Sequence, residues 1–274
     1  MRIGICAPAT PLGKDQAAAV WALAERYYPD AELIFHPQCF YEHGHYAGTD
    51  QQRLDAFVQM ANDPTLEAIW FAKGGYGSNR IAQRAVSALA APAAEKTYLG
   101  YSDMGYLLGS LYRAGIGRQA HGPMVTDISR EGGADTVARS LDWLVRGDPS
   151  GLEPELVAGE RYAAFNLMTL AMMTGSAIMP DLSGHIVIVE EVAEYLYSVD
   201  RLFFHLTQAL EGKGVTGIRL GLVNAVPEND RPFGSSAEEI ARDWCARSGI
   251  AYLGRAEIGH AASNHVVPFG KMPG

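Results

Sequence analysis

Apolar runs and helix-period segments alternate through the first half of the chain. RIGICAP (2–8) is a buried-strand run, and DQAAAVWALAERYY (15–28) follows with helical periodicity, placing Val20, Leu23, Ala24 and Tyr27 on one face. AELIFHP (31–37) is strand-like. TDQQRLDAFVQMAND (49–63) opens on Thr49 with Gln52 three residues on, the capping-box spacing, and carries Leu54, Phe57, Val58 and Ala61 as its apolar face. LEAIWFA (66–72) runs straight into the glycine-rich KGGYGSNR (73–80), a helix is predicted over about 79–90, and TYLGYS (97–102) is strand-like again. Strands and helices in this rhythm predict βαβ units and a mainly parallel sheet with helices on both faces, a Rossmann-like arrangement. In such sheets the loops that leave the C-terminal strand ends carry ligands. Both glycine-rich loops, 73–79 and 100–105, leave such ends.

The rhythm changes after RQAHGPM (118–124). DTVARSLDWLVRG (135–147) reads as an amphipathic helix, and DPSGLEPE (148–155) is polar and turn-rich. Short strands (HIVIVEEV, GIRLGLVNAV, AYLGRAEIG) then mix with helices at about 166–174, 199–210 and 236–247, the last capped by Ser236 with Glu239. The expected division is an N-terminal α/β domain over 1–125, a linker with a helix over 126–160, and a smaller, strand-rich, β-barrel-like domain over 161–274.

Composition narrows the class. A chain of 274 residues with 48% apolar content can bury a real core, and its formal charge of −9 comes with no basic cluster, which argues against nucleic acid as a partner. Three well-separated cysteines, Cys6, Cys39 and Cys245, form no CxxC pair and fit a reducing compartment. No stretch has the roughly 18 unbroken apolar residues of a membrane span, and the short N-terminal run closed by Pro8 reads as a first strand rather than a signal. A soluble cytoplasmic protein without a membrane partner is the expectation.

Four stretches carry candidate chemistry. In GYSDMG (100–105), Ser102 and Asp103 sit on a sharp strand-to-helix turn. Such a turn exposes a serine Oγ and leaves the next N–H free for an oxyanion. Met104 stands where the hydrolase elbow G-x-S-x-G has glycine, and locally the pair reads more simply as a helix cap. KGGYGSN (73–79) offers glycines for close backbone approach but matches neither a Walker loop nor a dinucleotide fingerprint, and Ser78 is a rival nucleophile. Glu190 and Glu191 end an apolar run, where a carboxylate can orient a histidine or simply face solvent. His260 follows Gly259 in EIGHAASNH (257–265), and histidine is the usual base near neutral pH. Glu42, His43 and His45 in EHGHY lack a third fixed ligand, so no metal and no cofactor is expected.

Taken in order, GGYGSNR, GYSD, HGPM, NLMTL, PDLSGHIVIVEEVAEYLYSVDR and GHAASNHVVPFG resemble the motifs of the LD-carboxypeptidases, serine peptidases that include the microcin-immunity enzymes. The resemblance spans nearly the whole chain. It implies a Ser102–Glu190–His260 triad, an oxyanion hole from the N–H groups of Asp103 and Gly75, and substrate contacts by Lys73, Tyr76, Asn166 and Arg201. It also implies cleavage of an L,D-peptide bond with release of C-terminal D-Ala from a muropeptide, in the cytoplasm, by a homodimer. The alternatives are a microcin-type aminoacyl-adenylate substrate, for which Trp143 and Trp244 lie outside the expected loop, and a non-catalytic small-ligand-binding protein. Four residues, in three motifs, depart from the family's pattern. Lys73 stands for an arginine, Ala164-Phe165 for Gly-Gly beside the expected pocket, and Glu191 for an aspartate.

Overall fold

The computed structural model describes residues 1–273 and contains two sheets. The first half supplies β1 (Arg2–Cys6), α1 (Lys14–Tyr27), β2 (Glu32–Phe35), α2 (Asp50–Asn62), β3 (Ala68–Phe71), α3 (Ala82–Ser87), β4 (Thr97–Gly100), α4 (Gly105–Ala114) and β5 (Arg118–His121). Each strand is short, all but the edge strand β2 are largely buried, and all five pair in parallel in the order β5-β4-β3-β1-β2. This is the alternation expected from the sequence, with a switch point between β1 and β3. The loops leaving those two strands meet there, and Thr10 Oγ1 donates to Gly74 O at 2.6 Å.

After α5 (Gly133–Leu141) the chain builds β6 (Arg161–Asn166), α6 (Leu167–Met173), β7 (Ile186–Val192), α7 (Leu196–Leu210), β8 (Gly217–Asn224), α8 (Ala237–Arg247), β9 (Tyr252–Arg255), β10 (Val267–Pro268) and β11 (Gly270–Lys271). The second sheet is strand-rich as expected, but it is open rather than barrel-like. Its order is β11-β6-β7-β8-β9, with β6 to β9 parallel and the edges unjoined. Helical crossovers between parallel strands cover the sheet, so closure is not needed to bury it. The C-terminal segment stitches the two sheets together: β10 adds antiparallel to β5, pairing Val267 with His121, and β11 adds antiparallel to β6.

Capping follows the sequence closely. Thr49 and Gln52 form the reciprocal box on α2, as do Ser236 and Glu239 on α8. One facial assignment shifts. Tyr27 is exposed, while Tyr28, just past α1, is buried and donates its hydroxyl to Asp142 at 3.0 Å.

One buried apolar cluster runs through both sheets, joining Tyr98 and Leu107 to Phe165 and Val189. Phe165, at the family's Gly-Gly position, packs here rather than in a pocket. Its ring lies tilted against that of Phe269 at 5.1 Å, and a Cβ added at Gly105 of α4 would lie 3.3 Å from it. The two small residues Gly105 and Gly109 let α4 approach β6 and α6 closely enough to accommodate the ring.

Candidate active site

The tight turn after β4 holds Ser102 at φ +58°, in the left-handed region that serine rarely occupies. A strained backbone of this kind costs on the order of 1–3 kcal/mol and persists only where its surroundings enforce it. Here the enforcing contacts come from the neighbouring glycine loop. Asp103 does not cap α4 with its side chain. Its carboxylate accepts the N–H of Gly77 at 3.2 Å and of Ser78 at 2.8 Å, and Ser78 Oγ donates back to Asp103 O at 2.5 Å. Burial pushes the Asp103 carboxyl upward, opposed by those same donors. Ser78, the rival nucleophile, is fully buried and engaged in this clamp. Gly74 is the glycine that faces the serine, since a Cβ there would lie 3.1 Å from both Cβ and Oγ of Ser102. Gly75, at φ +102°, turns the loop instead against Thr10.

Glu190 comes from β7 and His260 from the loop after β9. His260 Nδ1 lies 2.8 Å from Glu190 Oε2, with the carboxylate fully buried. The pairing of β7 with β8 shifts register between Val189 and Glu191, a bulge that re-aims the side chain between them. Glycines make room for that carboxylate: added Cβ atoms at Gly221 and Gly259 would lie 3.0 and 3.4 Å from Glu190 Cβ. With Nδ1 committed to the carboxylate, Nε2 is the ring nitrogen left for chemistry. No hydrogen bond joins Ser102 Oγ to His260 among the described residues.

Glu191 points the other way and is also buried, so neither glutamate faces solvent. It accepts Asn166 Nδ2 at 2.8 Å, Met168 N at 2.9 Å and Val192 N at 2.9 Å. Burial nonetheless pushes its carboxyl up to about 7. Asn166, expected at the substrate, spends its Oδ1 capping α6 at Thr169 N and its amide on Glu191. Lys73 is half-buried directly before Gly74, and Tyr76 is exposed beside Tyr46 and His45. Arg201 is an exposed residue of α7, bonded to Ser198 and placed over the Tyr197 ring.

Sequence reasoning missed the groups behind the histidine. Tyr101, the residue before Ser102, packs its ring 4.8 Å from that of His260. Asn264 Oδ1 accepts Gly259 N–H at 3.0 Å and lies 3.3 Å from His121 Nε2. Burial lowers His121 to about 4, so it is neutral. Asn224 and Arg130 both donate to the carbonyl of His260, at 2.9 and 3.1 Å. The Asn264 contact falls inside the quoted GHAASNH stretch, whereas the contacts of Arg130 and Asn224 span the fold and leave no local pattern.

A buried carboxylate–histidine pair and a serine on a strained turn are groups of the kind that hydrolases use. Residues 3–122 match the LD-carboxypeptidase N-terminal domain and residues 161–273 the LD-carboxypeptidase C-terminal domain. The chain belongs to the LD-carboxypeptidase family. It is 30% identical to a putative carboxypeptidase of Synechocystis over 87% of this chain and 79% of that one. It is 25% identical to the murein tetrapeptide carboxypeptidase of Pseudomonas aeruginosa over 98% and 91%. Among solved structures, the muramoyltetrapeptide carboxypeptidase of Oxalobacter formigenes shares the fold with a TM-score of 0.81 at 23% identity, covering 98% of this chain and 93% of that one. The microcin C7 self-immunity protein MccF shares it with a TM-score of 0.76 at 19% identity, covering 98% and 91%.

Proposed function

We propose that this chain is a serine-type LD-carboxypeptidase that releases C-terminal D-Ala from a murein tetrapeptide in the cytoplasm. The observation that carries the reading is the 2.8 Å contact between His260 Nδ1 and buried Glu190, across from a serine held at φ +58°. Ser102 Oγ attacks the scissile carbonyl as His260 Nε2 takes its proton. The same imidazole then protonates the leaving D-Ala nitrogen, and water resolves the acyl-enzyme. Glu190 fixes the tautomer and offsets the charge of the imidazolium. The Asp103 N–H and a glycine N–H of the 74–77 loop receive the oxyanion, Gly75 being the donor carried from the family's pattern, each worth a few kcal/mol (~3) of barrier. Lys73, half-buried and next to Gly74, is placed to attract the substrate's terminal carboxylate, with Tyr76 at the rim. The substrate class rests on the names borne by relatives such as the Pseudomonas enzyme. Assembly as a homodimer belongs to the same reading.

The test is Ser102→Ala assayed on L-Ala-γ-D-Glu-meso-diaminopimelate-D-Ala. Loss of D-Ala release is expected, and undiminished release overturns the nucleophile assignment. An aminoacyl sulfamoyl nucleoside run beside it decides between murein-type and microcin-type substrates. Trp143 is partly buried against the core of the first sheet, and Trp244 donates to Asp200 with Phe204 and Arg247 against its ring, which favours the murein reading.

A further inference from the structure

We propose that Arg130 is a positioning residue that latches the catalytic histidine of one sheet to the nucleophile turn of the other, an inference that rests on His260 acting as the base. Arg130 spreads its guanidinium over three acceptors. Nε donates to Asp127 Oδ1 at 2.6 Å, Nη1 to the carbonyl of His260 at 3.1 Å, and Nη2 to the Tyr101 hydroxyl at 3.3 Å. Tyr101 in turn donates its hydroxyl to Asp127 Oδ1 at 2.9 Å, and Asp127 Oδ2 accepts Met124 N–H at 2.8 Å. Asp127 is 1% exposed, so its charge is matched almost wholly inside this cluster.

The arrangement fixes two things at once. Tyr101 precedes Ser102 in the chain, and its ring lies against the imidazole. The same hydroxyl and the His260 carbonyl are gripped by one planar cation. Serine and histidine come from different sheets, and their mutual distance is therefore set by contacts between those sheets. Arg130 bonds both the residue next to the serine and the histidine's own backbone. Asp127 offsets the guanidinium, so the latch works by geometry and adds little net charge beside an imidazole that must become cationic. A lysine could keep the charge but could not reach three acceptors in one plane. Without Arg130 the histidine loop keeps two other ties, because Asn224 holds the same carbonyl and Asn264 holds the Gly259 N–H.

The experiment compares wild type with Arg130→Ala, Arg130→Lys and Tyr101→Phe. It reads kcat and KM for D-Ala release, and the rate at which a fluorophosphonate labels Ser102. Misplacing a reacting group by about 1 Å can cost about 100-fold. Arg130→Ala is expected to lower kcat and labelling about 10- to 100-fold with KM within about twofold, and non-denaturing guanidinium is expected to restore part of both. Arg130→Lys is expected to stay slow without rescue. Tyr101→Phe, which keeps the ring and removes only the hydroxyl, is expected to slow both rates at unchanged KM. Wild-type rates in Arg130→Ala, or a loss that guanidinium does not relieve, overturn the latch, as do wild-type rates in Tyr101→Phe. If the wild type labels readily but releases no D-Ala, the peptide assignment fails, and the labelling series alone then decides the latch.

Discussion

Asp103 Oδ2 accepts the Ser78 N–H at 2.8 Å, and Ser78 Oγ returns a bond to the Asp103 carbonyl at 2.5 Å. This reciprocal pair fastens the nucleophile turn to the glycine loop that faces it. Removing the carboxylate leaves two buried N–H groups, those of Gly77 and Ser78, without their acceptor. An unsatisfied buried donor costs about 1–3 kcal/mol. Asp103→Ala is therefore expected to lose at least that much stability in urea denaturation, with a further loss of turnover as the turn relaxes. A variant as stable as wild type would show that the clamp contributes nothing.

The same pair separates the two serines of the sequence. Ser78 is buried and bonded, while Ser102 is partly exposed on the strained turn. Ser78→Ala is expected to keep turnover within about tenfold of wild type, because only one neutral hydrogen bond, about 1 kcal/mol, is removed. Ser102→Ala is expected to lose on the order of 10³-fold or more. A steady-state comparison in which the two variants lose activity equally would return Ser78 to candidacy.

Gly74 offers a sharper probe of the nucleophile's surroundings. A methyl group there would meet Ser102 Cβ and Oγ at 3.1 Å and Met124 Cε at 3.4 Å. Gly74 has no positive φ, so alanine strains the contact without straining the backbone. Gly74→Ala is expected to cut kcat by about 100-fold while costing about 1–3 kcal/mol of stability. Gly75→Ala, at φ +102° and with Thr10 Cγ2 at 2.5 Å, is expected to cost more stability. Paired thermal denaturation and kinetics would reveal a reversed order of effects.

What the sequence disclosed, and what it concealed, divides along the range of the interactions. The βαβ rhythm, the caps at Thr49 and Ser236 and the apolar face of α2 were readable because each is local. Ser102, Glu190 and His260 were weak as isolated residues and gained meaning from their ordered motifs. The left-handed conformation of Ser102 was not readable, since serine carries no glycine-like signal and the strain is imposed by the loop after β3. The open form of the second sheet depends on parallel pairing of β6 to β9, which short strand runs do not specify. The role of Arg130 depends on residues about 30 positions before and 130 after it, and no window contains them.

The last prediction concerns acidity and follows from two buried groups with opposite displacements. His121 is lowered from 6.5 to about 4 by burial, so between those values the unfolded chain binds the extra proton and stability rises with pH. Glu191 is raised from 4.5 to about 7, again chiefly by burial, so between those values the folded protein holds the extra proton and stability falls as pH rises. At about 1.4 kcal/mol per pH unit, each effect amounts to about 3 kcal/mol at most. Across roughly pH 4.5 to 6.5 the two slopes oppose one another, so these groups together leave wild-type stability nearly flat there. Glu191→Gln removes the falling component and exposes the rising one. Urea denaturation of that variant should therefore show stability climbing with pH through this window, on top of a constant loss from the acceptor that the amide cannot replace. A variant profile parallel to wild type would mean that Glu191 does not titrate in the folded protein at these pH values.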